Sequence, residues 1–165
     1  MSDKGKVKIL GPKDGDLGLL TAIGVRFMVS GEESGGGFTL VEHPMPPHAL
    51  AAPLHRHNRE DEYSFVLEGR VGALLGDQVI YGEAGDLIFK PRGQWHTFWN
   101  AGDEPARILE IISPSGFEQY FRDMVALPLD ATPADRAAIA ALHALDVDPQ
   151  SIPRLIAEYG LRFSR

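Results

Sequence analysis

Short apolar or alternating runs, separated by glycine, proline and Gly-Asp pairs, fill the chain from Lys6 to Ser113. With 18 glycines and 12 prolines, turns come too often for a bundle of long helices. The predicted strands are Val7–Leu10, Leu20–Val29, Gly37–His43, Ala51–His57, Glu62–Leu67, Val71–Leu75, Gln78–Tyr81, Leu87–Lys90, Trp95–Trp99 and Arg107–Ile112. So many short strands without intervening helices predict a mostly β sandwich or barrel.

The composition changes after Pro114, where apolar residues recur at helical spacing. The predicted helices are Gly116–Ala126, Pro133–Leu145 and Ser151–Gly160. Thr132 and Pro133 supply a helix cap and a first-turn proline. Because 165 residues fit one domain of about 100 to 200, we expect a β-barrel domain over 6–113 and a C-terminal helical tail over 114–165, packed on the same domain.

The charge balance disfavours nucleic acid as a partner. Sixteen Lys and Arg residues against 23 Asp and Glu residues give a net charge of −7, and no basic cluster interrupts the acidic excess. A protein that tracks phosphates needs the opposite balance.

The absence of cysteine excludes disulfides, zinc–thiolate sites, iron–sulfur clusters and thiol nucleophiles. It suits a reducing cytosol. The start of the chain lacks the apolar core of a signal peptide, and no stretch approaches the roughly 18 apolar residues of a membrane span. We therefore expect a cytoplasmic protein with no membrane partner, in which any metal is held by histidine and carboxylate.

His55 and His57 stand two residues apart, shortly before a carboxylate cluster that ends at Glu62. On a strand, the period of two places both imidazoles on one face. A tight turn after His57 would let the next strand run back, so that Glu62 reaches the same metal from alongside. His96 is a third candidate imidazole, just after the turn Pro91–Gly93.

Three imidazoles and one carboxylate suit a divalent Fe, Mn, Co, Ni, Cu or Zn ion. Four ligands around a metal that accepts six leave room for water, dioxygen or substrate. A His-x-His pair alone is more often structural, and His43, His48 and His143 are assigned to no site.

The joint pattern resembles the cupin superfamily, whose motifs read G-x5-H-x-H-x(3,4)-E-x6-G and G-x5-P-x-G-x2-H-x3-N. His55, His57, Glu62 and Gly69 match the first motif, and Gly85, Pro91, Gly93, His96 and Asn100 match the second. The first motif departs from the pattern at Ala49, where the family has a turn glycine. Spacing to Gly69 favours Glu62 as the carboxylate ligand, and its neighbours Glu60 and Asp61 are assigned to a solvated turn.

The resemblance implies a double-stranded β-helix, or jelly-roll, barrel with one metal site. The chain carries a single motif pair and is similar to small bacterial cupins that are compared with flavonol (quercetin) dioxygenases. This similarity implies a metal-dependent oxygenase that acts on an aromatic or enolic hydroxy compound, with Glu62 as the catalytic base. Two alternatives stay open: an isomerase or lyase that uses the metal as a Lewis acid, and a non-catalytic module that binds a small molecule.

Strand alternation also predicts the surroundings of the site. Ser64, Phe98 and Asn100 fall on the ligand side, and Trp95 is an aromatic neighbour, so these four are the predicted substrate pocket. Tyr63, Phe65 and Leu67 fall on the opposite face of their strand. That apolar face needs a cover, either the helical tail or a second subunit, and we expect a homodimer.

Overall fold

The structure is a computed structural model, and it describes residues 6–164. The strands are β1 (Leu17–Leu19), β2 (Gly24–Val29), β3 (Thr39–Met45), β4 (Leu54–His57), β5 (Asp61–Glu68), β6 (Arg70–Leu75), β7 (Gln78–Glu83), β8 (Leu87–Lys90), β9 (His96–Asn100), β10 (Ala106–Ser113) and β11 (Leu145–Asp148). The helices are α1 (Glu118–Ala126), α2 (Pro133–Leu142) and α3 (Ser151–Tyr159).

Two antiparallel sheets form the predicted jelly-roll barrel. One sheet has six strands in the order β1-β2-β3-β10-β5-β8, and the other has five in the order β11-β4-β9-β6-β7. The main apolar core contains residues from both sheets, such as Val66 and Ile108 from the first and Val71 and Phe98 from the second. The sheets therefore pack face to face over a shared interior, in agreement with the alternation of buried and half-buried residues along β10.

Two of the predicted strands differ from the structure. The prediction of a strand at Val7–Leu10 is wrong, because this segment has no regular structure and Val7 and Ile9 are fully exposed. The predicted strand Leu20–Val29 is too long, because only Gly24–Val29 forms a strand, β2. The residues before it form the turn that joins β1 to β2, in which the Leu20 amide donates to the Ile23 carbonyl at 2.9 Å. Apolar residues alone do not make a strand without a partner to pack against.

The tail is helical as predicted, with one addition. Helix α2 begins at Pro133 and has a capping box in which Thr132 and Asp135 bond each other's backbone. It ends at Leu142 rather than Leu145, since Ala144 takes a left-handed conformation and the chain then forms β11. Strand β11 pairs with β4 and so extends the five-stranded sheet. The division into 6–113 and 114–165 stays a prediction.

Helix α3 covers the outer face of the five-stranded sheet. The ring of Tyr159 stacks on Trp99 at a centroid distance of 4.5 Å, and Leu155 is buried in the same cluster. The Ser151 hydroxyl accepts a hydrogen bond from the Leu54 amide at the start of β4, at 2.9 Å. All three helices are nine or ten residues long, and within residues 6–164 none has the length and apolar character needed to cross a bilayer.

Candidate metal centre

The structure brings His55, His57, Glu62 and His96 together inside the barrel. Each offers one ligand atom, and these atoms all lie within 4.8 Å of one another. All four side chains are buried. Among the described residues, no other set of three or more His, Cys, Asp or Glu side chains converges in this way.

The backbone explains how three of these ligands meet. His55 and His57 are both buried on β4 while Arg56 between them faces the other way, as the period of two predicts. His55 lies opposite His96 in the antiparallel pairing of β4 with β9. Glu62 differs from the expectation: β5 belongs to the other sheet, so this carboxylate approaches from across the barrel rather than from a strand alongside β4.

The turn before His96 is attached to β4. Gly93 has a φ of 77°, in the left-handed region that glycine adopts without strain, and its amide donates to the His57 carbonyl at 2.7 Å. This bond fixes the start of β9 relative to the first two histidines. Ala49, which stands where the family has glycine, does not have a positive φ, so the departure from the motif causes no strain there.

Glu62 lies between two of the imidazoles. Its Oε2 is 2.8 Å from His96 Nε2, and its Oε1 is 3.3 Å from His57 Nε2. The donor set is therefore three imidazoles and one carboxylate in a buried cluster. This set suits a divalent Fe, Mn, Co, Ni, Cu or Zn ion. The four residues fit a metal, and the cluster is a candidate site for a divalent ion.

A buried lysine adjoins this cluster. Lys90 Nζ lies 3.1 Å from Glu62 Oε2 and 2.7 Å from Glu110 Oε1, and the Ser64 hydroxyl donates to Glu110 at 3.0 Å. Burial acts to lower the pKa of Lys90, but Glu110 and Glu62 outweigh it and the net pKa is raised. Lys90 is thus an ammonium ion held between two carboxylates.

The charges around Glu62 keep it ionised. Burial acts to raise the pKa of Glu62, but His57, Lys90 and His96 together hold that pKa well below its ordinary value. For His55 the balance is reversed: burial, His96 and His57 lower its pKa well below the ordinary value. His55 is therefore neutral, which is the form of imidazole that binds a metal.

The tail covers the site from one side. The Phe117 ring packs against the imidazole of His57 at a centroid distance of 4.3 Å, and Phe121 packs against His43 at 5.3 Å. Strand β11 runs beside β4, with Leu145 opposite His57 in the pairing. Residues beyond the motif region thus contribute to the wall of the candidate centre.

The predicted pocket residues have different surroundings. Ser64 is buried and bonded to Glu110, and Phe98 is buried with the Lys90 ammonium 4.5 Å from its ring centroid. Trp95 is half-buried and carries the Arg56 guanidinium over its ring at 5.1 Å. The Asn100 amide donates to the carbonyls of Met45, Pro46 and Glu104. Contact of these four with a substrate stays a prediction.

The assignment of Glu60 and Asp61 to a solvated turn is wrong. Glu60 is only 6% exposed, and its Oε2 lies 3.5 Å from His57 Nδ1. Asp61 is half-buried and binds Arg92, accepting from its backbone amide and its guanidinium at 2.8 Å. A polar sequence in a short turn did not indicate that the turn folds back against the ligands.

Several residues near the centre were missed by the sequence analysis. These are His43, Glu60, Lys90, Glu110 and Phe117. A signal existed for Lys90 and Glu110, because each is a charged residue in an apolar stretch of its strand, at a position that the alternation of the strand turns inward. Such a residue must find a partner inside the protein. His43, which was assigned to no site, does lie outside the ligand set, and its Nδ1 donates to the Gly24 carbonyl at 2.8 Å.

Comparison with known proteins agrees with this architecture. The family described as Cupin domain matches residues 41–112. The tetracenomycin polyketide synthase protein TcmJ of Streptomyces glaucescens is 33% identical over 60 residues, a stretch that covers 36% of this chain and 40% of that relative. The chain therefore matches less than half the length of this curated relative.

Solved structures share the fold at low identity. KdgF from Halomonas sp. has a TM-score of 0.60 at 16% identity, covering 69% of this chain and 99% of its own. A nucleoside dehydratase from Streptomyces has a TM-score of 0.55 at 14% identity, covering 69% of this chain and 88% of its own. A predicted oxalate decarboxylase from Thermotoga maritima has a TM-score of 0.53 at 22% identity, covering 56% of this chain and 80% of its own. Residues 41–112 thus match a cupin domain. The two antiparallel sheets and these neighbours agree with the cupin jelly-roll fold.

Proposed function

We propose that this protein is a metal-dependent oxygenase that acts on an aromatic or enolic hydroxy compound. The observation that carries the proposal is the buried cluster of His55, His57, Glu62 and His96, whose ligand atoms lie within 4.8 Å of one another. A divalent ion bound there supplies Lewis acidity and, if it is Fe, Mn, Co, Ni or Cu, a redox couple for chemistry with dioxygen.

Glu62 is the proposed catalytic base. Its carboxylate is ionised because His57, Lys90 and His96 hold its pKa well below the ordinary value despite burial. An ionised carboxylate can accept the proton of a phenolic or enolic hydroxyl at Oε1 or Oε2. Lys90 stays beside Glu62 at 3.1 Å and stabilises its negative charge until the proton arrives.

The surroundings favour a planar apolar substrate. Phe98 and Phe117 are buried aromatic side chains next to the cluster, and both exclude water from it. Lys90, the buried cation, is already paired with two carboxylates, so it is not free to bind a phosphate. The partial similarity to a polyketide synthase protein supports an enolic substrate, since polyketide chains carry enolisable carbonyl groups.

A non-redox reaction is the second candidate. Lys90 and Glu62 place a proton donor and a proton acceptor 3.1 Å apart in the same buried space. Such a pair supports proton transfers of an isomerase or lyase without dioxygen. A module that binds a small molecule without converting it is the third reading, which the covering of His57 by Phe117 favours.

Oxygen consumption separates these readings. The protein, purified without chelator, is analysed for its elements and loaded with Fe, Mn, Co, Ni or Cu. It is then assayed with a panel of phenols and enols in air and under anaerobic conditions. Oxygen uptake with product in air supports the oxygenase, and conversion without oxygen supports the isomerase or lyase. Binding with no product in either condition contradicts both enzymes and leaves the binding module.

The Glu62→Gln variant tests the base directly. Glutamine can still coordinate weakly but cannot accept the substrate proton. We expect the variant to retain some metal and to lose far more in kcat than in substrate affinity. An unchanged kcat contradicts the role of Glu62 as the base.

We also propose that the protein is a homodimer. The outer face of β5 and β8 carries Tyr63, Phe65, Leu87 and Phe89, of which Phe65, Leu87 and Phe89 are 38%, 58% and 48% exposed. The Tyr63 and Phe89 rings stack at 4.9 Å, so this face is one continuous apolar patch. Within the described residues the tail packs elsewhere, against β1, β4 and Trp99. Strand β8 is an edge strand of its sheet, and an unpaired strand edge beside an apolar face favours a second copy as the occupant.

We also propose that the protein resides in the cytoplasm, because a chain without cysteine suits a reducing compartment. We expect no nucleic-acid partner, because the net charge is −7.

A further inference from the structure

The three histidines of the candidate centre are not held in the same way. His55 Nδ1 lies 2.8 Å from the Pro53 carbonyl, and His96 Nδ1 lies 3.0 Å from the Gln94 carbonyl. A carbonyl oxygen can only accept a hydrogen bond, so in both rings Nδ1 carries the hydrogen. The Nε2 atom is then the one available as a ligand, and the backbone fixes this choice.

His57 has no such carbonyl. Its Nδ1 is buried and makes no hydrogen bond within the described part of the chain, and the same holds for Glu60 Oε2. These two atoms face each other at 3.5 Å, about 0.6 Å beyond the usual N–H···O distance. Both side chains are more than nine-tenths buried.

Two buried polar atoms that face each other and have no other partner are placed to form a hydrogen bond after a small shift of either side chain. Leaving a buried carboxylate oxygen without a donor is costly, and so is leaving a buried N–H without an acceptor. The neighbouring carboxylate, Asp61, is different because Arg92 already binds it. Glu60 is therefore the carboxylate that can accept a hydrogen bond from His57 Nδ1.

We propose that Glu60 is a positioning residue for His57. Its carboxylate accepts the Nδ1 hydrogen, which turns Nε2 towards Glu62 and makes it the more basic ligand atom. The centre thus has two histidines held by backbone carbonyls and one held by a carboxylate. This role rests on the proposed metal centre, but the pairing of Glu60 with His57 is a property of the chain itself.

The test compares Glu60→Ala and Glu60→Gln with Asp61→Ala as the matched control. The first readout is ¹⁵N NMR of the imidazoles in chelator-treated full-length protein, which reports the tautomer of each histidine. We expect wild-type His57 to carry its hydrogen on Nδ1 and Glu60→Ala to lose that preference, while His55 and His96 keep theirs. Glu60→Gln should retain part of it, because the amide oxygen still accepts.

The second readout is the affinity for Co²⁺ or Zn²⁺, measured by competition with a chromogenic chelator. We expect Glu60→Ala to bind about 10 to 100 times more weakly than wild type, Glu60→Gln to fall between them, and Asp61→Ala to stay within about twofold. The proposal is overturned if Glu60→Ala leaves both the His57 tautomer and the affinity unchanged, or if Asp61→Ala weakens binding equally. If wild type binds neither ion, the metal centre fails, and the tautomer alone still decides whether Glu60 positions His57.

Discussion

The ring of Phe117 lies against the imidazole of His57, with centroids 4.3 Å apart and planes inclined by 64°. Phe117 is the residue that caps α1, so the first helix of the tail begins at the candidate ligands. It is only 2% exposed. A substrate larger than water reaches His57 from this side only when Phe117 moves, which makes the tail part of the access route.

Replacement of Phe117 by alanine should open this side of the site. Removing a buried phenyl ring costs about 3 to 5 kcal/mol of unfolding free energy, and it exposes His57 to solvent. We expect urea unfolding at lower concentration and faster loss of bound metal to an excess of chelator. Phe38→Ala is the control, since Phe38 is 39% exposed and lies just before β3. Equal rates of metal loss in the two variants would show that Phe117 does not restrict access.

Metal content should depend on the histidines of the cluster and not on histidines outside it. His57→Ala and His96→Ala each remove one imidazole from the set. We expect elemental analysis to show that the metal content falls by at least about tenfold. His143→Ala is the control, because His143 binds Asp123 in the tail and lies outside the set. Equal metal content in all three variants would contradict the site.

The clustering of the four candidate ligands could be expected from the sequence, partly from a local rule and partly from the resemblance to cupins. The period of two along a strand determines that His55 and His57 share a face, and motif spacing adds Glu62 and His96. The boundaries of β8 and the start of α2 also follow from local turn and cap residues. The shared face, the bounds of β8 and the start of α2 are each specified by a few consecutive residues, whereas the meeting of Glu62 and His96 with the histidine pair depends on strands of both sheets.

The surroundings of the ligands could not be predicted in the same way. Lys90 meets Glu110 only because β8 and β10 both pair with β5, which is a matter of sheet order. Strand β11 was not predicted, and its first residue, Leu145, was assigned to the end of a helix, since the pairing with β4 joins residues about 90 positions apart. Tertiary pairing of this kind overrides the secondary-structure preference of a segment, so a short stretch of sequence does not predict it.

Lys90→Met should lower the free energy of unfolding, because it leaves two buried carboxylates without a neutralising charge. With its ammonium gone, Glu62 and Glu110 lose the charge that neutralises them, and breaking a buried pair in this way costs about 3 to 5 kcal/mol. A bound divalent ion compensates Glu62 in place of Lys90. We therefore expect chelator-treated Lys90→Met to unfold at much lower urea concentration than wild type, and metal to stabilise the variant more than it stabilises wild type.

The control for this measurement is Lys13→Met, which changes an exposed lysine. It should unfold like wild type with and without metal. Unfolding of Lys90→Met within about 1 kcal/mol of wild type would mean that the two carboxylates do not need this cation.

Acid should destabilise the metal-free protein partly through His43. Burial lowers the pKa of His43 below its ordinary value of 6.5, Lys90 acts in the same direction, and Glu110 and Glu62 oppose them. As pH falls through 6.5, the unfolded chain gains a proton that the folded protein does not take up, so stability falls. The slope per histidine is at most about 1.4 kcal/mol per pH unit.

His43→Gln isolates this contribution. Glutamine keeps a donor for the Gly24 carbonyl but does not titrate. Urea unfolding is measured with chelator at about pH 8 and about pH 5.5, and the difference at the higher pH gives the cost of the substitution itself. We expect the variant to lose less stability between the two pH values than wild type does, with His55 accounting for part of the remaining fall. The same loss in both proteins would show that His43 takes up no proton on unfolding.

The proposed dimer should dissociate when charge is placed on its apolar face. Phe65 and Leu87 lie next to each other in the pairing of β5 with β8, and both are exposed. The double substitution Phe65→Glu with Leu87→Glu puts four carboxylates across a two-fold interface, where they lose water and repel one another. We expect light scattering at micromolar concentration to report a dimer for wild type and a monomer for the variant.

Val79→Glu is the matched control, because Val79 has the same 38% exposure as Phe65 but lies on β7 in the other sheet. A wild-type monomer, or a variant that remains dimeric, would rule out this face as the contact, and a dimer disrupted by Val79→Glu would place the contact on the five-stranded sheet instead.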